Sequence, residues 1–98
     1  MTRPTLLTPA ELHQRLGELS GWRVEGSAIA KKFRFKDFQA AFAFMAAVAQ
    51  VAEAAGHHPD WSNSYNRVQV RLTTHSQSGV TEKDMALAAV MDQLAEQR

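Results

Sequence analysis

Residues 28–56, AIAKKFRFKDFQAAFAFMAAVAQVAEAAG, contain the change of period on which the fold reading turns. From Ala28 to Phe35 the side chains alternate. Ile29, Lys31, Phe33 and Phe35 share one face, and Ala30, Lys32, Arg34 and Lys36 share the other. A period of two belongs to a strand. After Asp37 the period lengthens to that of a helix. Phe38, Phe42, Met45 and Ala49 form one stripe, with Ala41, Phe44, Val48, Val51 and Ala55 as a second beside it. Asp37 is placed to cap the start of this helix, and Gly56 to end it. The stripes cover about half of the circumference and much of the rest is alanine, so the helix calls for packing on more than one side.

Upstream, Trp22-Arg23-Val24-Glu25 followed by Gly26-Ser27 reads as a first strand and a tight turn into the second. Before it, Thr8-Pro9-Ala10-Glu11 supplies a threonine cap, a proline at the first helical position and a glutamate three residues after the cap. Leu7 and Leu12 occupy the positions of a hydrophobic staple, and Leu12, Leu16 and Leu19 carry this helix to Ser20-Gly21. Downstream, Trp61, Asn63 and Tyr65 alternate with Ser62, Ser64 and Asn66. Val68, Val70 and Leu72 then alternate with Gln69, Arg71 and Thr73, which predicts a second hairpin turning near Asn66-Arg67. Thr81-Glu82-Lys83-Asp84 resembles another capping box, with Val80 and Met85 as its staple, and Leu87, Met91 and Leu94 carry the last helix. The order α-β-β-α-β-β-α predicts an α+β fold, a four-stranded antiparallel sheet with three helices packed on one face.

A chain of 98 residues makes one domain. It buries roughly two-thirds of its unfolded surface, so a ligand site belongs in a surface cleft or at a subunit boundary. The absence of cysteine excludes a disulfide framework, a thiolate nucleophile and any cysteine-ligated metal centre. A formal charge of +1 is too balanced to argue for nucleic acid as the main partner. Met1 to Thr8 has no apolar run of signal-peptide length. The longest uninterrupted apolar run, Ala40 to Ala49, is half of the roughly 20 residues that a spanning helix needs. The expectation is a soluble cytoplasmic protein with no membrane segment.

Three of the four histidines lie outside helix interiors. His57 and His58 follow the long helix, and His75 is expected to end the last strand. Asp84 opens the final helix and Glu53 stands one turn before His57. In a small α+β domain such element ends can converge on one rim of the sheet. Imidazole exchanges its proton close to neutrality. Two such groups in one cleft supply an acid and a base, worth about 10²–10⁴-fold each when positioned, with no nucleophile required.

Taken singly, each residue has a plainer reading. His57-His58-Pro59 is a polar turn, His75 a strand-end residue, Asp84 a carboxylate on the free N–H groups of a helix start, and Glu53 a solvated helix residue. His13 reads as surface, and Trp61 and Tyr65 as sheet packing. A metal site is disfavoured, because adjacent His57 and His58 tend to point apart, whereas helical metal motifs set histidines four residues apart. Lys31-Lys32-Phe33-Arg34-Phe35-Lys36 reads as a solvated strand face. No glycine-rich phosphate loop, Ser/His/Asp arrangement or dinucleotide fingerprint is present.

Glu53-x-x-x-His57-His58-Pro59, followed by Tyr65, His75 and Asp84, resembles the signature of the pterin-4a-carbinolamine dehydratases. His57-His58-Pro59-Asp60-Trp61-Ser62-Asn63-Ser64-Tyr65-Asn66 and Leu72-Thr73-Thr74-His75 are similar to that family as well, and the likeness extends over residues 1–98 as a single domain. The resemblance implies dehydration of 4a-hydroxytetrahydrobiopterin to quinonoid dihydropterin and water, in recycling of the tetrahydropterin cofactor. It implies His57 and His75 as the acid/base residues and His58 as a residue that positions the pterin. It also implies Glu53, Pro59, Asp60, Trp61 and Asp84 around the substrate, with no metal and no bound cofactor. A homodimer or homotetramer is implied too, for which the alanine-rich long helix offers a physical reason. The same resemblance carries an alternative, a non-catalytic binding module that serves as dimerisation partner or coactivator of a transcription factor.

Overall fold

The computed structural model describes residues 5–98. Part of the Met1–Thr8 segment, expected to lack a signal sequence, therefore lies outside the described residues. The elements follow in the order α1 (Pro9–Leu16), β1 (Arg23–Glu25), β2 (Ala28–Arg34), α2 (Phe38–Ala55), β3 (Asp60–Ser64), β4 (Arg67–Leu72), a 3-10 turn (His75–Gln77) and α3 (Glu82–Glu96). The four strands form one antiparallel sheet in the order β1-β2-β4-β3, the α+β architecture expected.

The register explains the core. Ile29 pairs with Leu72, Lys31 with Val70 and Phe33 with Val68, so the apolar faces of the two central strands coincide. Onto this face α2 lays Ala41, Phe44, Val48 and Ala52, and α3 lays Met85, Leu87, Ala88 and Met91. Leu12 and Leu16 of α1 pack against the same cluster. Phe44 sits between Phe33 and Phe35, with ring centroids 4.8 and 4.9 Å away. The chain before α1 is tied to the chain before α3, where the Leu7 N–H donates to the Val80 carbonyl at 2.9 Å. At the start of α1, the backbone N–H and hydroxyl of Thr8 hold the Glu11 carboxyl below the usual carboxylate range.

The structure departs from the sequence reading at several boundaries. Helix α1 stops at Leu16, with Gly17 at its C-cap, and Leu19 reaches the core from tighter turns beyond it. The second hairpin turns at Tyr65-Asn66 rather than Asn66-Arg67, with Tyr65 in the left-handed region at φ 52°. Asn66 is pinned there because its side chain donates to the Phe35 carbonyl and its own carbonyl accepts from the Phe35 N–H, each at 2.8 Å. Strand β4 ends at Leu72, so His75 opens the 3-10 turn instead of closing the strand. Lys31, read as part of a solvated basic face, points inward. Its ammonium donates to Asp92 at 2.8 Å and to the Ser20 carbonyl at 2.7 Å, and it lies 4.8 Å from the Phe33 ring centroid. Lys32 and Arg34 do face outward, beside Arg67 and Arg71 of β4.

The stripe of Ala41, Phe44 and Val48 is covered, whereas in the other stripe only Met45 packs against the core. Phe38 and Phe42, from that other stripe, are 47% and 58% exposed. As folded, α2 has 18 residues and a mean hydropathy of 1.4, enough by length and composition alone to cross a membrane. The uninterrupted apolar run understates this length, since it stops at Gln50 while the helix does not. Against that criterion, five of its residues, Ala40, Ala41, Phe44, Val48 and Ala52, are packed inside the fold.

Because Phe44 is fully buried between two rings, Phe44→Ala removes contacts that no neighbour can replace. The expected loss of stability is about 3–5 kcal/mol, read as a lower urea midpoint at unchanged slope.

Candidate active site

The site begins where α2 ends. Gly56 adopts the left-handed conformation at φ 64°, which an L side chain resists. The His57 N–H then donates back to the Ala52 carbonyl at 3.1 Å, and the Gly56 N–H to the Glu53 carbonyl at 3.2 Å. This cap turns the chain so that His57 tucks beneath the helix end, 9% exposed, while His58 emerges into solvent.

His57 meets Asp84, from the first turn of α3, with Nε2 2.6 Å from Oδ1. Asp84 is 0% exposed. Its other oxygen, Oδ2, accepts from the Thr74 hydroxyl at 2.8 Å and from the Thr81 N–H at 2.9 Å. A buried carboxylate without donors would be severely penalised, and this one has three. It acts here as an acceptor, so the shared proton belongs on Nε2 of His57. Nδ1 is then the ring nitrogen left to work in the cleft.

The other two histidines have exposed partners. His58 Nε2 lies 2.8 Å from Glu53 Oε1, and His75 Nε2 lies 3.4 Å from Asp60 Oδ2. Solvent screens both pairs, so they orient their rings weakly compared with the Asp84 contact.

Gly56, His57, His58, Pro59, Asp60, Thr73, Thr74, His75, Ser76 and Lys83 line one cleft of about 300 Å³. The rim on which helix ends and strand ends meet therefore exists, and it gathers all three histidines together with Pro59 and Asp60. The remaining expected site residues lie elsewhere. Glu53 reaches the cleft only through His58. Trp61 stands opposite Val70 in the sheet and borders a neighbouring depression with Arg23, Lys32 and Arg71. Asp84 lies under His57 with no exposed surface, so it acts through that ring rather than by touching a ligand. Sequence reasoning passes over Thr74, Thr81 and Lys83 as site residues. Thr81 is legible there only as a helix cap, and Thr74 only as the neighbour of His75. Among the described residues, no group of three His, Cys, Asp or Glu side chains is placed to hold a metal ion.

Asp84→Ala would strand three buried donors at once. The expected cost is about 3–5 kcal/mol by urea denaturation. His58→Ala, at the exposed pair, should change stability by less than about 1 kcal/mol in the same assay.

The chain is similar to several known proteins. Residues 5–94 match the family described as pterin 4 alpha carbinolamine dehydratase. Curated proteins of Brucella ovis and Brucella canis, provisionally named as pterin-4-alpha-carbinolamine dehydratases, are each 50% identical over 91 residues, which cover 91% of this chain and 94% of theirs. A crystal structure of a transcriptional coactivator/pterin dehydratase from Brucella melitensis superposes with a TM-score of 0.90 at 49% identity, covering 93% of this chain and 99% of that one. A pterin dehydratase-like protein identified as a RuBisCO assembly factor in the alpha-carboxysome superposes at 0.66 with 28% identity, over 76% of this chain and 89% of that one. A match of this extent, on a chain whose histidines share one cleft, is decisive: the chain belongs to the pterin-4a-carbinolamine dehydratase family.

Proposed function

We propose that the chain dehydrates 4a-hydroxytetrahydrobiopterin to quinonoid dihydropterin and water, using histidines as general acid and base. The observation that carries this reading is the convergence of His57, His58 and His75 on one open cleft, with His57 clamped at Nε2 by a buried carboxylate. In the reaction a ring-nitrogen lone pair forms a C=N bond as the C4a–O bond breaks. The departing oxygen takes a proton from an acid, and a ring N–H gives a proton to a base, so water leaves and charge balances. His57, through Nδ1, and His75 are the two groups for these transfers, while His58, Pro59 and Asp60 shape the cleft around the flat heterocycle. None of these transfers calls for a metal or a bound cofactor.

A second reading has support in the structural neighbours. One is described as a coactivator as well as a dehydratase, and another as an assembly factor. A non-catalytic binding module, including a transcription-factor partner, is therefore the alternative. Stopped-flow absorbance with chemically generated 4a-hydroxypterin separates the two. The wild type is expected to accelerate loss of the substrate, and His75→Ala to reduce that acceleration by about 10²-fold or more. Wild-type traces that superpose on the uncatalysed reaction would transfer the assignment to the binding module.

The exposed stripe of α2 supports a homo-oligomer, dimer or tetramer, as part of the same reading. Phe38 and Phe42 lie with ring centroids 6.0 Å apart, in line with Ala46 and Ala49, both exposed. Small residues beside two aromatic rings let a second copy of the helix approach closely and cover the stripe. Phe42→Lys puts a charge in its centre. Light scattering at micromolar concentration should then show a smaller mass than for the wild type, and a monomeric wild type would remove the proposal.

A further inference from the structure

Thr74 and Thr81 hold the carboxylate that holds His57, yet their hydroxyls take no part in the proton transfers of the dehydration. Both residues are buried, at 4% and 0% exposure. Their oxygens lie 2.7 Å apart. The direction of this contact follows from counting protons. A threonine hydroxyl has one to give. The Thr74 hydroxyl gives its proton to Asp84 Oδ2, so the Thr81 hydroxyl must donate to Thr74. Thr81 Oγ1 in turn accepts from the Lys83 N–H at 3.2 Å, while the Thr81 N–H donates directly to Asp84. Donors thus run one way, from the first turn of α3 to Asp84 Oδ2, and Oδ1 is left for His57.

We propose that Thr74 and Thr81 are positioning residues for His57. Their hydroxyls form a one-way donor chain that keeps Asp84 an acceptor, fixes the His57 proton on Nε2 and leaves Nδ1 to exchange protons with the pterin. The catalytic consequence rests on the dehydratase reading, but the geometry does not. Two features separate this role from simple helix capping. A cap needs only Thr81 and Asp84, yet the chain also recruits Thr74 from the far side of the 3-10 turn, next to His75. Thr74 also lines the cleft, so the donor to Asp84 stands at the wall that the substrate meets. Without its hydroxyl, Oδ2 keeps only the Thr81 N–H. A carboxyl with one donor fewer takes up a proton from solvent more readily, and as an acid it donates to a bare Nε2, so the ring proton moves to Nδ1 and the single tautomer is lost.

The test uses ¹⁵N-histidine NMR on the full chain together with steady-state kinetics. In the wild type, neutral His57 is expected with a protonated Nε2 and a bare Nδ1. Thr74→Val, which keeps the shape and loses the donor, should move the His57 ¹⁵N shifts toward a mixture of tautomers. It should also lower kcat about 10–100-fold while KM stays within about threefold. Thr74→Ser, which restores the donor, should recover both. A folded Thr74→Val chain with wild-type ¹⁵N shifts and kcat overturns the proposal, as does a wild-type spectrum with the proton on Nδ1. If Thr74→Val fails to fold, the wild-type spectrum and Thr74→Ser decide, and loss of the tautomer in folded Thr74→Ser counts against the chain. Absence of wild-type turnover with the Nε2–H tautomer intact would instead refute the dehydratase reading and leave the positioning of His57 standing.

Discussion

One fully buried carboxylate governs the site. Placing Asp84 out of reach of water is unfavourable unless every lone pair in use finds a donor. The donors come from three parts of the chain: His57 after α2, Thr74 between β4 and the 3-10 turn, and Thr81 ahead of α3. Satisfying that carboxylate therefore brings the end of one helix, the exit from the central strand and the start of another helix to a single point. The positive end of α3 adds to the same effect, because Asp84 lies in the first turn of that helix. No comparable constraint acts on His58 or His75, whose partners are exposed. The cleft thus combines one imidazole held by a buried carboxylate with two whose partners are exposed.

The sheet makes this arrangement possible by keeping its two faces different. The inner face is apolar and carries the helices. Lys31, which breaks that pattern, is neutralised by Asp92, which also accepts from the Trp22 indole N–H. The outer face presents Arg23, Lys32, Arg34, Arg67 and Arg71 around small Ala28 and Ala30. Asp60 stands at the corner where this face meets the cleft, bordering both depressions. Strand register alone decides that division, since a slip of one residue in β4 would turn Val68, Val70 and Leu72 to solvent.

A similar backbone is described for a coactivator/pterin dehydratase and, over 76% of this chain, for a pterin dehydratase-like assembly factor. A shared fold does not by itself select among such roles. Support for chemistry in this chain comes from its site, where imidazoles with defined partners surround an open cleft. The exposed rings of Phe38 and Phe42 on α2 do not line that cleft and form a separate surface.

Much of the fold is legible in the order of the residues alone. Caps and periods act over three or four residues, so Thr8, Asp37, Gly56 and Thr81 mark element ends, and the alternation around Val68 and Val70 marks a strand. The spacing of His57, His58 and His75 points to a family signature, although Asp84 taken singly reads only as a cap. Contacts between distant residues decide the rest. Asn66 sets the turn through Phe35, 31 positions away, and Lys31 turns inward to Asp92, 61 positions away. Asp84 meets His57 across 27 positions, and that contact engages Nε2 and leaves Nδ1 as the other nitrogen of the ring. Local propensity is written in neighbouring residues, and it determined the elements, their order and the candidate histidines. The pairing of buried polar groups depends on which surfaces pack together, so only the tertiary structure could decide which carboxylate, and which hydroxyls behind it, hold His57 in place.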